Sequence, residues 1–295
     1  MSEWLTYLLV IGANFTFAGG TLIFSHFSKK VSVIWVNTLK ALIATFLFAI
    51  TASVLGVWQP IAFPTLGWLF LSGLIGLCLA DILLLQAFTI LGPARTLVLF
   101  SFQPIILGIA GYFLFGQSVG WMKMLSIVFM IGCLLIFVSE RKEQTGKWSL
   151  SGFIEAFCAI SLDAVGVIFT RLAYEGSSSL HPAESNFYRG IGALVGFFFL
   201  HMTWRKIELL GSFKKLNMTQ RKWVVLGCVL GCYISLFMYL TALKYSNLAT
   251  ASALSITGPL FAGTFECIVN KSRPSKHLVM AFGMFVLGVI VLSLS

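Results

Sequence analysis

The chain has 295 residues, of which 58% are hydrophobic and 10% charged, with a formal net charge of +10. A soluble domain carries about 25% charged residues to wet its surface; here Phe alone, at 28, outnumbers Asp and Glu together, at 10. A polytopic membrane protein is expected, and a disordered chain, a secreted disulfide scaffold and an ordinary cytosolic enzyme are excluded.

A hydrocarbon core about 30 Å thick is crossed by about 20 apolar residues of helix. Ten stretches meet that requirement: Trp4–Ser25, Val31–Leu55, Thr65–Thr89, Ala94–Phe115, Val119–Val138, Leu150–Tyr174, Pro182–Thr203, Lys222–Leu243, Leu248–Val269 and Lys276–Leu294. The first is not a cleavable signal, because Met1 to Trp4 has no positive charge and includes Glu3. Breakers mark the joints: Gln59-Pro60 with Phe63-Pro64, Gly92-Pro93, His181-Pro182, Ser246-Asn247 and Arg273-Pro274. The long polar connections are 139–149 and 204–221, and neither could fold alone. Backbone groups in lipid bond internally, and no ten-residue alternation points to a barrel. The expected fold is therefore all-α.

Two offsets expose an internal repeat. A shift of 155 residues lays Trp68 on Trp223, Gly76 on Gly231, Pro104 on Pro259 and Gly108 on Gly263. A shift of 149 lays Asn37, Lys40 and Phe48 on Asn186, Arg189 and Phe197. The chain reads as a five-helix repeat over 1–138, a linker over 139–149 and a second repeat over 150–295. Five is odd, so the second copy enters the membrane from the opposite side. Inverted repeats of this kind build secondary transporters, with the substrate site near the midplane.

Charge supports the inversion. Connections after odd-numbered helices hold fifteen basic residues, among them Lys29, Lys30, Arg95, Arg141, Arg205 and Lys271. The opposite face holds three, Lys123, Arg171 and Lys244. The positive-inside rule places the rich face in the cytoplasm and both termini outside. The basic residues have anionic lipid headgroups as expected partners. They lack the aromatic interleaving of a nucleic-acid binder, so no nucleic acid is expected.

Charges inside apolar stretches are costly and usually face a cavity or a partner. They are Lys40, Asp81, Glu155, Asp163, Arg189 and Glu266. Asp81 and Asp163 lie deepest; either they exchange protons in a cavity, or they pair with Lys40 or Arg189. Glu155 and Glu266 lie near helix ends, where an interfacial role suffices. Lys40 and Arg189 occupy matching positions, which fits a structural charge; the alternative is binding an anionic substrate group.

The fourth and ninth stretches carry prolines at mid-length, Pro104 after Gln103 and Pro259 after Gly258. A proline frees the carbonyl four residues before it, here those of Phe100 and Ser255, and freed carbonyls are tolerated where they line a cavity. They are read as hinges beside a cavity, a plain packing kink being the alternative. Small or polar faces accompany them: Ala249, Ser252 and Ser255 on one helix, Thr96, Phe100 and Gln103 on the other. Helix 1 adds Asn14, Ala18, Thr21 and Ser25; helix 8 adds Tyr233, Ser235 and Tyr239. The candidate substrate-binding residues are Asn14, Phe100, Gln103, Tyr233, Tyr239, Ser252 and Ser255. The aromatic ones either stack on substrate or simply pack.

Other patterns carry no chemistry. Gly227-xxx-Gly231 and Gly192-xxx-Gly196 allow close helix approach. Asn217-Met-Thr219 is a sequon on the expected cytoplasmic face. The four His and six Cys show no metal spacing, the cysteines read as reduced core residues, and no Walker motif is present. No cofactor and no metal are expected, and the chain is not read as an enzyme.

Leu79-Ala80-Asp81 through Gln86-Ala87-Phe88 and Leu91-Gly92 resembles the third helix of EamA-type members of the drug/metabolite transporter superfamily. Ala94-Arg95 to Pro104, ending at Phe115-Gly116-Gln117, is similar to that family's fourth helix, and Lys40 and Arg189 stand where members often have Arg. The resemblance covers nearly the whole chain in two copies. It implies ten helices and alternating access around a cavity walled chiefly by helices 1, 3, 4, 6, 8 and 9, in a bacterial inner membrane. Gln117 and Lys271 depart from it, standing where Glu is frequent. Familiar bacterial members also keep both termini in the cytoplasm, against the charge count.

The expected function is secondary transport, as an exporter, of small amino-acid-like metabolites, with proton coupling through Asp81 or Asp163. A lipid or lipid-linked headgroup flippase would share the fold but need a lateral opening. An intramembrane enzyme would need a tight acid or His cluster, which is not seen.

Overall fold

Apolar runs of this length satisfy their backbone groups by coiling, and the computed structural model is helical throughout the regular part of its described residues. It describes residues 2–100, 102–117, 120–145, 149–203, 213, 216–246, 248–255, 257–269, 271, 273 and 275–293; outside it also lie the side chains of 94, 95, 98, 123, 130, 134, 137, 138, 140–145, 249, 252, 253, 278, 292 and 293. Helices α1 (Glu3–Ser28) and α2 (Val33–Val54) are followed by α3 (Phe63–Ser72), which runs through a π-helical turn (Gly73–Ala80) into α4 (Asp81–Leu91). Then come α5 (Pro93–Phe100), α6 (Gln103–Phe115), α7 (Trp121–Thr145), α8 (Leu150–Gly176) and α9 (Pro182–Thr203). Helix α10 (Met218–Cys228) passes through a second π turn (Val229–Ile234) into α11 (Ser235–Tyr245), and α12 (Leu248–Leu254), α13 (Thr257–Val269) and α14 (Lys276–Ser293) complete the order.

Side-chain caps set several starts. Ser32 accepts from the Trp35 amide at 3.0 Å, and Asn217 and Gln220 form a reciprocal capping box on α10. Gly92, with φ of 84°, ends α4 in a conformation that favours glycine.

Five continuous helices are long and apolar enough to cross a membrane: Glu3–Ser28, Val33–Val54, Phe63–Leu91, Leu150–Gly176 and Met218–Tyr245. Shorter apolar helices include Gln103–Phe115 and Val279–Val291. Large side chains such as Phe46, Phe113, Trp121 and Phe199 are more than 60% exposed, as suits a multi-pass membrane protein whose outer surface meets lipid.

The prolines differ from the sequence expectation. Neither sits in the middle of a continuous helix. The chain breaks between α5 and α6 and between α12 and α13, and Pro104 and Pro259 occupy the first turns of the second pieces. The missing proline N–H costs nothing there. The Phe102 amide instead donates to Leu99 O at 3.0 Å, and the Gly258 amide to Ser255 O at 3.0 Å.

Glycines set the interhelical packing, because helices in lipid associate through close contact rather than a hydrophobic drive. A Cβ on Gly20 would lie 2.6 Å from the Gly231 Cα, and one on Gly166 would lie 2.9 Å from the Gly76 Cα. Gly12 faces Met238 while Gly20 faces Gly227 and Gly231, so α1 runs antiparallel to α10–α11. Gly152 faces Leu91 and Gly176 faces Thr65, so α8 runs antiparallel to α3–α4. These contacts define two ends of the bundle. One holds the C-terminus of α1, Leu91 and the start of α8. The other holds the start of α1, the end of α8 and the end of α11.

The tightest approach is at Gly73, where a Cβ would overlap the Arg189 backbone carbonyl. Gly73→Ala is expected to destabilise the protein by about 1–3 kcal/mol, as overpacking does. Gly67→Ala is the control, since a Cβ there meets nothing within 4 Å, and thermal melting of the two detergent-purified variants separates them.

Fully buried Trp35, Phe24, Phe48 and Phe197 fill the main core. Helices α7 and α14 pack on each other, joined by Ser126 Oγ donating to Gly288 O at 2.7 Å, and reach the same core through Cys133 and Phe285.

Candidate substrate cavity

A cavity of about 140 Å³ lies at the centre, where α1, the π turns and the α5–α6 and α12–α13 breaks converge. Each half supplies a cation, an asparagine one turn before it, and a broken helix.

In the first half, Lys40 is 4% exposed. Its Nζ donates to Asp81 Oδ2 at 2.9 Å and to Asn37 Oδ1 at 2.9 Å, and sits 4.9 Å over the Phe24 ring. Asn37 Nδ2 donates to the Asp81 carbonyl at 3.0 Å. An opposite charge at this distance offsets much of the desolvation cost of the buried cation.

The second half repeats this pattern with different chemistry. Arg189 Nη1 donates to Asn186 Oδ1 at 3.3 Å, and Asn186 Nδ2 donates to the Leu236 carbonyl at 3.4 Å. Leu236 is the 155-residue counterpart of Asp81, so the acid is missing from this half. Arg189 Nε instead donates to Ser72 Oγ at 2.9 Å. Ser72 is fixed by Thr170 Oγ1 at 2.7 Å and the Gly166 carbonyl at 2.6 Å.

Asp163 is the other cavity acid. Its Oδ2 accepts from Gln103 Nε2 at 2.6 Å, a neutral amide. Asp163 is the 149-residue counterpart of Asn14, and Gln103 the 155-residue counterpart of Gly258. In the matching place, Asn14 Oδ1 lies 3.3 Å from where a Gly258 Cβ would stand, while its Nδ2 donates to Val10 O at 2.8 Å. Asp163 and Arg189 flank Gly76: a Cβ there would be 3.7 Å from Asp163 Oδ1 and 3.9 Å from Arg189 Nη2. The cavity thus holds one carbonyl-braced ion pair, Lys40–Asp81, and one carboxylate and one guanidinium whose hydrogen bonds go to neutral groups.

Of the residues singled out in the sequence, Asn14, Lys40, Asp81, Phe100, Gln103, Asp163, Arg189, Tyr239, Ser255 and Pro259 line this cavity. Tyr233 does not; its OH is 2.6 Å from Thr51 Oγ1, and its ring packs on Phe48 at 4.9 Å. The Ser252 side chain lies outside the described residues. Pro104 is buried beside the cavity without lining it. Glu155 is half-buried near the start of α8, and Glu266 lines a cleft at the α1 C-terminal end. Cys78, Cys133, Cys228 and Cys232 are buried free thiols, but Cys158 is exposed on the outer face of α8 rather than in the core.

Sequence reasoning missed Ser72, whose hydroxyl fixes Arg189, and the apolar wall that includes Phe17, Leu77 and Val167. Phe17 and Val167 stand one helical turn from Asn14 and Asp163, so extending each polar position by three or four residues would have found them.

Outside the spans, His181 precedes α9, with Nδ1 accepting the Ala183 amide at 3.2 Å. Burial, then the nearby Lys244 charge, lowers its pKa.

The chain matches a profile described as the EamA-like transporter family twice, over residues 4–139 and 150–294. No curated protein matches it. Twenty-eight chains of known structure do. One, described only as the crystal structure of a protein, shares 16% identity with a TM-score of 0.76, over 99% of this chain and 98% of its own length, and speaks for the fold.

Proposed function

From the premise that the chain belongs to the EamA-like transporter family, membrane transporters of the drug/metabolite superfamily, we propose that it is a secondary exporter of small amino-acid-like metabolites. It works by alternating access between ten crossings arranged as two inverted repeats, 1–138 and 150–295. What carries the substrate reading is the pair that flanks Gly76. Arg189 offers a guanidinium to a carboxylate, and Asp163 offers a carboxylate to an ammonium. Phe100, Tyr239 and Phe17 wall the space beside them, which suits an apolar side chain. Asn14, Gln103 and Ser255 complete the polar contacts, Ser252 is added from its place in the sequence alone, and the breaks at Pro104 and Pro259 are the hinges.

Proton coupling is assigned to Asp163 ahead of Asp81. The Asp81 carboxylate is already engaged by the Lys40 ammonium at 2.9 Å. Among the described residues Asp163 has only an amide partner in hydrogen-bond contact, and it lines the space that substrate enters. The test is flux in proteoliposomes under an imposed pH gradient, using amino acids chosen by a thermal-shift screen. Gradient-driven, saturable flux of a zwitterionic solute supports the reading, and its absence across that panel refutes it.

The antiparallel run of α1 against α10–α11, and of α8 against α3–α4, supports the inversion. The basic excess after odd-numbered helices supports both termini being extracytoplasmic, and the family likeness supports a bacterial inner membrane. A C-terminal reporter active only in the cytoplasm is expected to be silent; strong activity refutes this orientation.

A further inference from the structure

The two ends of the bundle are built differently. At the α1 C-terminal end, Leu22, Ser25, Lys29, Pro93, Glu266 and Val269 line an open cleft of about 370 Å³. At the opposite end, polar side chains tie the elements together. Arg171 on α8 donates through Nη1 to Leu243 O and to Ser246 O, both at 2.9 Å. Its guanidinium is held by Glu175, with Nε 2.9 Å and Nη2 2.8 Å from Oε1. Lys244 Nζ donates to Leu180 O at 2.9 Å, and Gln117 Oε1 accepts the Leu248 amide at 3.0 Å. The turn joining α11 to α12 is thereby fastened to α8, to the α8–α9 connection and to the end of α6.

The repeat cannot form this bar at the open end. The counterpart of Arg171 at the 149-residue offset is Leu22, which has no polar side-chain atom. At the 155-residue offset the counterpart of Leu248 is Pro93, which has no amide to donate, and that of Lys244 is Thr89. Thr89 is spent on its own helix, donating to Gln86 O at 2.7 Å. The asymmetry is therefore written into the chain.

We infer that Arg171, with Lys244 and Gln117, is the gate of the shut mouth: a positioning residue that holds the α11–α12 turn against α8. Carbonyls at a helix C-terminus attract a cation, so Arg171 also caps α11. Its bonds, however, cross between elements that must separate for this mouth to open. Opening breaks both carbonyl bonds and strands the last carbonyls of α11. The inference rests on the alternating-access reading above, but its test reads water access rather than flux, so the two fail separately.

A Ser255→Cys reporter on the cavity wall is labelled with a membrane-impermeant thiol reagent from each side of sealed vesicles, and modification is assigned by peptide mass spectrometry. The parent reporter is expected to be labelled from the Lys29 side alone. Adding Arg171→Ala is expected to raise labelling from the Arg171 side about tenfold, as the closed population loses two bonds. Arg171→Lys is expected to lie between, since an ammonium has donors for the carbonyls but lacks the Nε and Nη2 that tie the guanidinium to Glu175. Lys244→Met is expected to act in the same direction and carries the test if Arg171→Ala is not recovered folded. Unchanged sidedness in the variants, with or without a lower melting temperature, marks a plain helix cap and overturns the inference, as does labelling of the parent from the Arg171 side.

Discussion

Asp163→Asn is expected to abolish the dependence of transport on an imposed pH gradient while leaving a folded protein. Asparagine keeps the shape of the side chain and can still bond Gln103, whose amide donates to Asp163 at 2.6 Å. What it loses is the ability to take and release a proton. Gradient-driven uptake into inverted vesicles is expected to fall at least about tenfold, equivalent to about 1.4 kcal/mol of barrier, with the melting temperature little changed. Asp81→Asn is expected to differ in kind: it leaves Lys40 unpaired, so it lowers stability, yet the gradient dependence of the surviving transport persists. If an Asp81→Asn, Asp163→Asn double variant still responds to the gradient, neither acid carries the coupling proton.

Lys40→Met is expected to cost about 3 kcal/mol of stability, because it leaves a charge without its partner in a poorly solvated site. The lysine is 4% exposed, with its ammonium 2.9 Å from Asp81. The informative comparison is Lys40→Met combined with Asp81→Asn. Removing both charges abolishes the unpaired ion, so the double variant is expected to recover at least half of the loss in a thermal melt. Equal destabilisation by the single and double variants would show that Lys40 acts by packing on Phe24 rather than by pairing.

Much of the fold was legible because length and polarity are sufficient physics for a membrane helix. The long apolar stretches became helices within a few residues of their expected bounds, as with Val31–Leu55 against α2 (Val33–Val54). The fourth and ninth did not stay whole. Sequence placed their prolines correctly, but whether a proline kinks a helix or begins a new one depends on the preceding turn, and at Phe102 and Ser255 that turn closes with i→i+3 bonds. The site was legible where a charge stood in an apolar run, since lipid tolerates such residues only with a partner or a cavity. Ser72 was not legible, because a lone serine in a membrane helix commonly bonds its own backbone. Its role comes from the convergence of α3, α8 and α9. Tyr233 shows the opposite case: it shares a helix with Tyr239 but stands six residues away, and the intervening geometry turns it toward Thr51.

The two wide turns of the third and eighth spans, Gly73–Ala80 and Val229–Ile234, have a consequence for how this chain can change over time. Each residue of an ordinary helix advances about 100° around the axis, and a π turn accommodates one more residue than its length would otherwise hold. Ser72 lies before the first such turn and Asp81 directly after it, so the azimuth of one relative to the other is set by that additional residue. Deleting a single codon there would swing Asp81 away from Lys40 while leaving hydropathy and helix length almost untouched. Such single-residue deletions would therefore be silent to insertion into the bilayer and ruinous to the ion pair, a phase constraint that composition alone cannot register.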